Sequence, residues 1–136
     1  MIERAHGDPV DTVERFFAAI EAKDIDAVAD FYTDDVQVWH NFSNSSQDKA
    51  TNIAVLTALC AGVETLRYEI VERLVLADGR VVQKHLLRAT GSGTEEVVIP
   101  ACMFLTLAGE RISRIEEYLD TAQANQLRAI TNRQPI

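Results

Sequence analysis

The chain has 136 residues, 47% hydrophobic and 25% charged, with 21 acidic against 13 basic side chains and a formal charge of −8. That is the length of one domain able to close its own core, and an ordinary globular composition. The acidic excess argues against nucleic acid or an anionic membrane surface as partner, because both draw on clustered Lys and Arg.

No apolar run approaches the ~20 residues that span a bilayer. The stretch Met1-Ile2-Glu3-Arg4-Ala5-His6-Gly7-Asp8 lacks the apolar segment of a secretory signal, so the expected location is cytoplasmic. Cys60 and Cys102 sit in apolar runs and read as reduced, buried thiols. With no CxxC, no HExxH and three scattered histidines, neither a metal nor another cofactor is expected. Without an internal repeat or a Pro/Gly/Ser linker, residues 1–136 read as one domain with a core over about 10–128.

Asp8-Pro9 places a capping carboxylate before a proline at the first helical position, and Asp11 and Glu14 have capping-box spacing. Val10, Val13, Phe16, Phe17 and Ile20 then give an amphipathic first helix. Asp24 caps a short second helix with Ile25, Val28, Ala29 and Phe31-Tyr32 on one face, broken by Thr33-Asp34-Asp35. Val36 to His40 alternates as a strand, and Asn41 to Ser46 reads as a loop. A third helix carries Ile53, Leu56, Leu59 and Cys60 on one side, with Gly62 as its stop.

The period then changes to that of strands. Leu66, Tyr68, Ile70, Leu74 and Leu76 lead to Asp78-Gly79, a strong hairpin signal, and the chain returns over Val81–Thr90. Gly91-Ser92-Gly93 turns it again into Val97–Leu107, apolar on both faces, with Pro100 read as a bulge or bend. Gly109 marks a turn before a last strand over Ile112–Leu119, and Asp120–Ile130 reads as a short capped helix. Helices segregated from a meander of strands mean an α+β fold: a curved antiparallel sheet wrapped around three N-terminal helices, open at one end as a cone. Such an opening is a usual place for a small ligand.

Three segments resemble the SnoaL-like and ketosteroid-isomerase-like families of the nuclear transport factor 2 superfamily. They are Val13-Glu14-Arg15-Phe16-Phe17-Ala18-Ala19-Ile20 with Lys23-Asp24-Ile25-Asp26, then Phe31-Tyr32-Thr33-Asp34-Asp35-Val36, then Ile112-Ser113-Arg114-Ile115-Glu116-Glu117-Tyr118-Leu119-Asp120. The resemblance implies the cone fold, and it leaves function open because this fold hosts many chemistries. It also implies where ketosteroid isomerase chemistry would sit, with its Tyr at Phe16, its base at His40 and its protonated Asp at Cys102. All three differ, and Phe16 with Cys102 cannot form that oxyanion hole. Limonene-epoxide-hydrolase-like members resemble the chain at Trp39-His40-Asn41 and at Glu117. Their middle-strand Arg-x-Asp falls at His85 and Leu87, without the carboxylate.

Strand alternation indicates which side chains meet. Val36, Val38 and His40 share a face, as do Gln83, His85 and Leu87, and Ser113, Ile115, Glu117 and Leu119. Trp39 and Asn41 take the opposite parity, and a bend at the strand end would bring Asn41 round. His40 and Glu117 form the leading pair, with His85 third. A histidine near neutrality can take a proton from a carbon acid or water, and a carboxylate between apolar walls can act as acid or base. The competing readings are a strand-end cap on Asn41 or Ser43 for His40, a salt bridge to Arg114 for Glu117, and a satisfied core histidine for His85.

The expected function is a pocket for a small apolar molecule, and a cofactor-free isomerase, cyclase or hydrolase is one form it could take. His40 would be the base, Glu117 its partner, Asn41 a donor, and Phe16, Phe17, Tyr32, Trp39, Leu87, Cys102 and Phe104 the substrate-binding residues. The alternative is a non-catalytic binding or dimerisation module of the same fold. Because helices cover one side of the sheet only, the second apolar face of Val97–Leu107 predicts a homodimer packed through the sheets.

Overall fold

A computed structural model of the chain describes residues 8–93 and 95–132; His6, to which the sequence assigns no role, lies outside them. The elements run α1 (Pro9–Glu21), α2 (Ile25–Phe31), β1 (Tyr32–His40), β2 (Ser45–Gln47), α3 (Lys49–Gly62), β3 (Thr65–Val75), β4 (Val81–Thr90), β5 (Glu96–Ala108), β6 (Arg111–Leu119) and α4 (Thr121–Asn132). The architecture is the expected α+β one, a curved and unclosed six-stranded sheet in the order β2-β1-β6-β5-β4-β3. β3 to β6 form an antiparallel meander, whereas β1 lies parallel to β6. That one parallel pair departs from the antiparallel order expected throughout.

Each helix starts where a carboxylate meets its free backbone N–H groups. Asp8 accepts from Val10 N at 2.8 Å, Asp24 from Ala27 N at 3.1 Å, Asp48 from Thr51 N at 2.9 Å and Asp120 from Ala122 N at 2.9 Å. Asp11 and Glu14 do not form the capping box. With Asp8 as cap they fall one turn inside the helix, where Asp11 meets Arg15 at 3.1 Å and Glu14 meets Arg73 at 3.3 Å.

Thr33-Asp34-Asp35 lies within β1 instead of ending α2, yet its polarity leaves a mark. Tyr32 pairs with Ile112 and Gln37 with Arg114, so four residues of β1 bulge opposite one of β6. Pro100 causes no register shift, because it pairs with Leu86 in step and lies just beyond the β5–β6 ladder, which begins at Ala101. The irregularity of β5 falls at Thr106/Leu107.

The core fills the concave side. Val13, Phe16, Phe17 and Ile20 of α1 and Val28 of α2 pack against Tyr32, Val36, Leu105, Ile112 and Ile115, all buried. Burying such side chains is worth roughly 1.5–3 kcal/mol each. Gly62 does close α3, but without a left-handed turn. An added Cβ there would lie 2.8 Å from Thr131 Cβ, so glycine at this position lets α4 approach α3.

Candidate functional site

The parallel seam between β1 and β6 builds the site. Val38 lies beside Ile115 and His40 beside Glu117, so both polar side chains leave the same face at the same strand ends. His40 Nε2 is 3.1 Å from Glu117 Oε1, with the two side chains 12% and 13% exposed. Asn41 secures the seam from outside, its Nδ2 donating to Leu119 O at 3.3 Å and its Oδ1 accepting from Leu119 N at 3.2 Å.

His40 and Glu117 lie on the wall of a cavity of about 420 Å³ between the sheet and helices α1, α3 and α4. Its walls are mostly apolar, with Phe16, Leu56, Leu59, Leu87, Ile99 and Met103 among them. Polar groups are few. Tyr32 Oη donates to Asn52 Oδ1 at 2.7 Å, and Asn52 Nδ2 donates to Gln47 Oε1 at 2.9 Å, linking the cavity wall to β2. Burial, and secondarily the charge of Glu117, push the Tyr32 phenol well above its ordinary pKa. The same two causes lead for Tyr68, which also lines the cavity, so both phenols keep their protons.

His85 is 2% exposed and stands behind this wall, its ring against Phe17 and Tyr68. A relay fixes its state. Arg73 Nε donates to Gln83 Oε1 at 2.8 Å, which leaves Gln83 Nε2 to donate to His85 Nδ1 at 2.9 Å and puts the ring proton on Nε2, a buried atom with no hydrogen-bond partner among the described residues. Burial lowers its pKa; Glu117 opposes the shift and Arg73 adds to it.

The sequence-predicted residues therefore divide. His40, Glu117, Phe16, Tyr32 and Leu87 line the cavity. Phe17 and His85 pack behind it, and Asn41 faces outward as a strand clamp. Trp39, Cys102 and Phe104 are corrected to the convex face, where Trp39 meets Tyr118 at 5.2 Å and Phe104 meets it at 6.3 Å. The reason is register. Met103 stands between Gln83 and Glu117, so Met103 shares their face and Cys102 and Phe104 take the other. Arg114 pairs with Glu116 at 3.2 Å and not with Glu117. Sequence reasoning missed Asn52, Phe42, Tyr68 and Arg128; only Asn52, four residues before Leu56 on the same helix face, carried a local signal. No group of three His, Cys, Asp or Glu among the described residues could hold a metal ion.

The four helices and the curved, unclosed six-stranded sheet are those of the nuclear transport factor 2-like cone fold. The sequence profile of the SnoaL-like domain matches residues 13–115, and the chain belongs to that family. Solved structures agree in fold. A protein from Shewanella putrefaciens CN-32 assigned as a SnoaL-like polyketide cyclase is 18% identical, with 93% of this chain and 99% of that one covered and a TM-score of 0.75. A cystatin-fold protein from Novosphingobium aromaticivorans is 22% identical over 81% of this chain and 97% of that one, with a TM-score of 0.69. A protein of ketosteroid isomerase-like fold from Catenulispora acidiphila DSM 44928, in complex with trimethylamine, is 14% identical over 91% and 97%, with a TM-score of 0.73. No curated protein matches the chain. No helix among the described residues is long and apolar enough to cross a membrane.

Proposed function

We propose that the chain binds a small, largely apolar molecule in the cone and transforms it by general acid–base chemistry of the isomerase, cyclase or hydrolase type. The observation that carries this reading is the His40–Glu117 bond of 3.1 Å on the wall of an otherwise mostly apolar cavity. Glu117 is the base, the reverse of the assignment expected from sequence. A carboxylate only accepts, so the bond requires the proton on His40 Nε2. His40 Nδ1 is buried with no hydrogen-bond partner among the described residues. His40 is then a fixed donor to Oε1, and the second carboxylate oxygen takes a proton from a carbon acid or a water. Tyr68, whose phenol stays protonated, donates a hydrogen bond to the substrate oxygen on which charge develops.

Thermal-shift screening of small carbonyl compounds and epoxides identifies binders, because selective binding to the folded state raises apparent stability. A binder that is turned over is then tested with Glu117→Gln, which should retain the thermal shift and lose turnover by roughly 10²-fold or more. Turnover that survives Glu117→Gln refutes the base assignment. Binding without turnover of any compound identifies a binding module instead.

The convex face supports a second element of the proposal, a homodimer through the sheets. Val71, Leu74 and Tyr118 are exposed there, and Trp39, Leu86, Cys102 and Phe104 are half-buried. Light scattering should give twice the chain mass; a monomer mass at every concentration excludes it.

A further inference from the structure

Of the described residues that line the cavity, only Glu117 and Arg128 carry a full side-chain charge. Both are tied to one aromatic ring, Glu117 through His40 and Arg128 directly. The His40 ring, bonded to Glu117, stacks on Phe42 with centroids 5.0 Å apart and planes at 29°. The Arg128 guanidinium lies over the same Phe42 ring at 5.0 Å from its centroid. Phe42 is 42% exposed, so this end of the column is the mouth and the Glu117 end is the interior.

Arg128 also differs from the other paired arginines. Arg15, Arg73, Arg80, Arg88 and Arg114 each lie against a carboxylate. Arg128 is held by Asn125 Oδ1 and by the Phe42 ring, and meets no carboxylate among the described residues. In a chain with 21 acids and 13 bases, acid partners are plentiful, so a guanidinium fixed at a cavity mouth by a neutral amide and a ring has donors to spare.

We infer that Arg128 is a specificity-determining residue that anchors the carboxylate of an amphiphilic ligand at the mouth, with the ligand's apolar body inside and its reacting atom toward Glu117. This rests on the cavity reading above and names its substrate class: a small apolar carboxylic acid. The planar guanidinium matches a carboxylate with two parallel bonds. The reverse orientation would bring a carboxylate against Glu117, a like charge in a low-dielectric wall, where repulsion is far stronger than at the rim. The overall negative charge does not forbid the approach, since at physiological salt fields are screened beyond about 8 Å and the local cation governs.

The test uses naphthoate and its neutral isostere naphthamide as probes, with dissociation constants from titration calorimetry. Wild-type protein should bind the acid about fivefold tighter or more, an advantage that shrinks at high salt. Arg128→Gln should bring the two constants within about twofold, and Arg128→Lys should keep part of the preference. Leu56→Trp, which fills the cavity, should weaken both probes and so locates them inside. Equal binding of acid and amide to the wild type, failure of either probe to bind, or a preference untouched by Arg128→Gln overturns the inference. Glu117→Gln separates the two readings, because it should lower turnover by roughly 10²-fold or more while the acid's advantage persists. If turnover survives and the advantage also persists, the base assignment fails and the anchor stands.

Discussion

Gly62→Ala sets two effects of similar size against each other, and the structure says which one wins. Gly62 is the last residue of α3 and has no positive φ, so alanine is locally acceptable and would gain roughly 0.5–1 kcal/mol of helix propensity. The added Cβ, however, would lie 2.8 Å from both Thr131 Cβ and Thr131 Cγ2, and 3.1 Å from Thr131 Cα. Carbon pairs settle at about 3.5–4.0 Å. Rotating Thr131 about χ1 moves Cγ2 away but leaves Cβ in place, so α4 itself must retreat. Overpacking of this kind costs about 1–3 kcal/mol, and less the propensity gain the net expectation is a loss of about 0–2.5 kcal/mol, centred near 1 kcal/mol. Urea unfolding should show a lower midpoint at unchanged slope, and amide exchange should show reduced protection concentrated in α4. Because α4 brings Ala124, Leu127, Arg128 and Thr131 to the cavity, ligand affinity should fall as well. Thr131→Ala should not rescue the variant, since its Cβ remains; Thr131→Gly should, so that the double variant is more stable than the two single losses predict. A Gly62→Ala protein as stable as wild type, with α4 fully protected, would refute the close-approach argument.

Tyr32→Phe removes the donor to Asn52 Oδ1 and leaves a buried amide oxygen unpaired, so it should cost about 1–3 kcal/mol in chemical denaturation. Adding Asn52→Leu should cost less than the sum of the two single changes, because no orphaned group then remains. His85 supplies a pH prediction. Its pKa is lowered from 6.5 in the folded chain, so below about 6.5 the unfolded state binds a proton that the native state does not. Stability should therefore fall as pH falls from 6.5 toward the folded value, and His85→Gln should flatten that part of the profile; superimposable profiles would remove the argument. Asn41→Ala breaks two exposed bonds to Leu119, costing about 0.5–1.5 kcal/mol, and should lower turnover further than that loss implies by loosening the seam that holds His40 to Glu117.

Much of the fold was legible because local chemistry marked it. Asp8, Asp24 and Asp120 announced helix starts, and Gly79 and Gly109, both at positive φ, announced turns. Faces follow parity where one parity is polar, as in β4 and β6; in β1 His40 does so, while Trp39 and Asn41, also expected at the site, lie on the other side. Parity failed in β5, where Ala101, Met103 and Leu105 are as apolar as Cys102 and Phe104, so period two cannot choose a side. There the hydrogen-bond register decides, and register is a property of three strands together. The rest of the site was hidden by distance along the chain. Phe42 meets Arg128 and Tyr32 meets Asn52 only after the sheet has curled, and no spacing rule within one element reports such contacts.

The parallel pairing of β1 with β6 is the step on which the site depends. Both strands run toward the same end of the cone, so His40 and Glu117, each near the end of its strand, arrive side by side with the same parity. Had β1 run antiparallel over the same four pairs, His40 would stand opposite Arg114, three residues from Glu117, or about 10 Å along the strand. No side-chain rotation closes that gap to a 3.1 Å bond. Parallel strands need a long crossover, and here α3 with the whole β3–β5 meander supplies it. The meander also supplies Leu87, Ile99 and Met103 for the cavity wall. The connection that lets the two polar ends meet is therefore the one that encloses them in apolar surface, and the proposed acid–base chemistry depends on this seam.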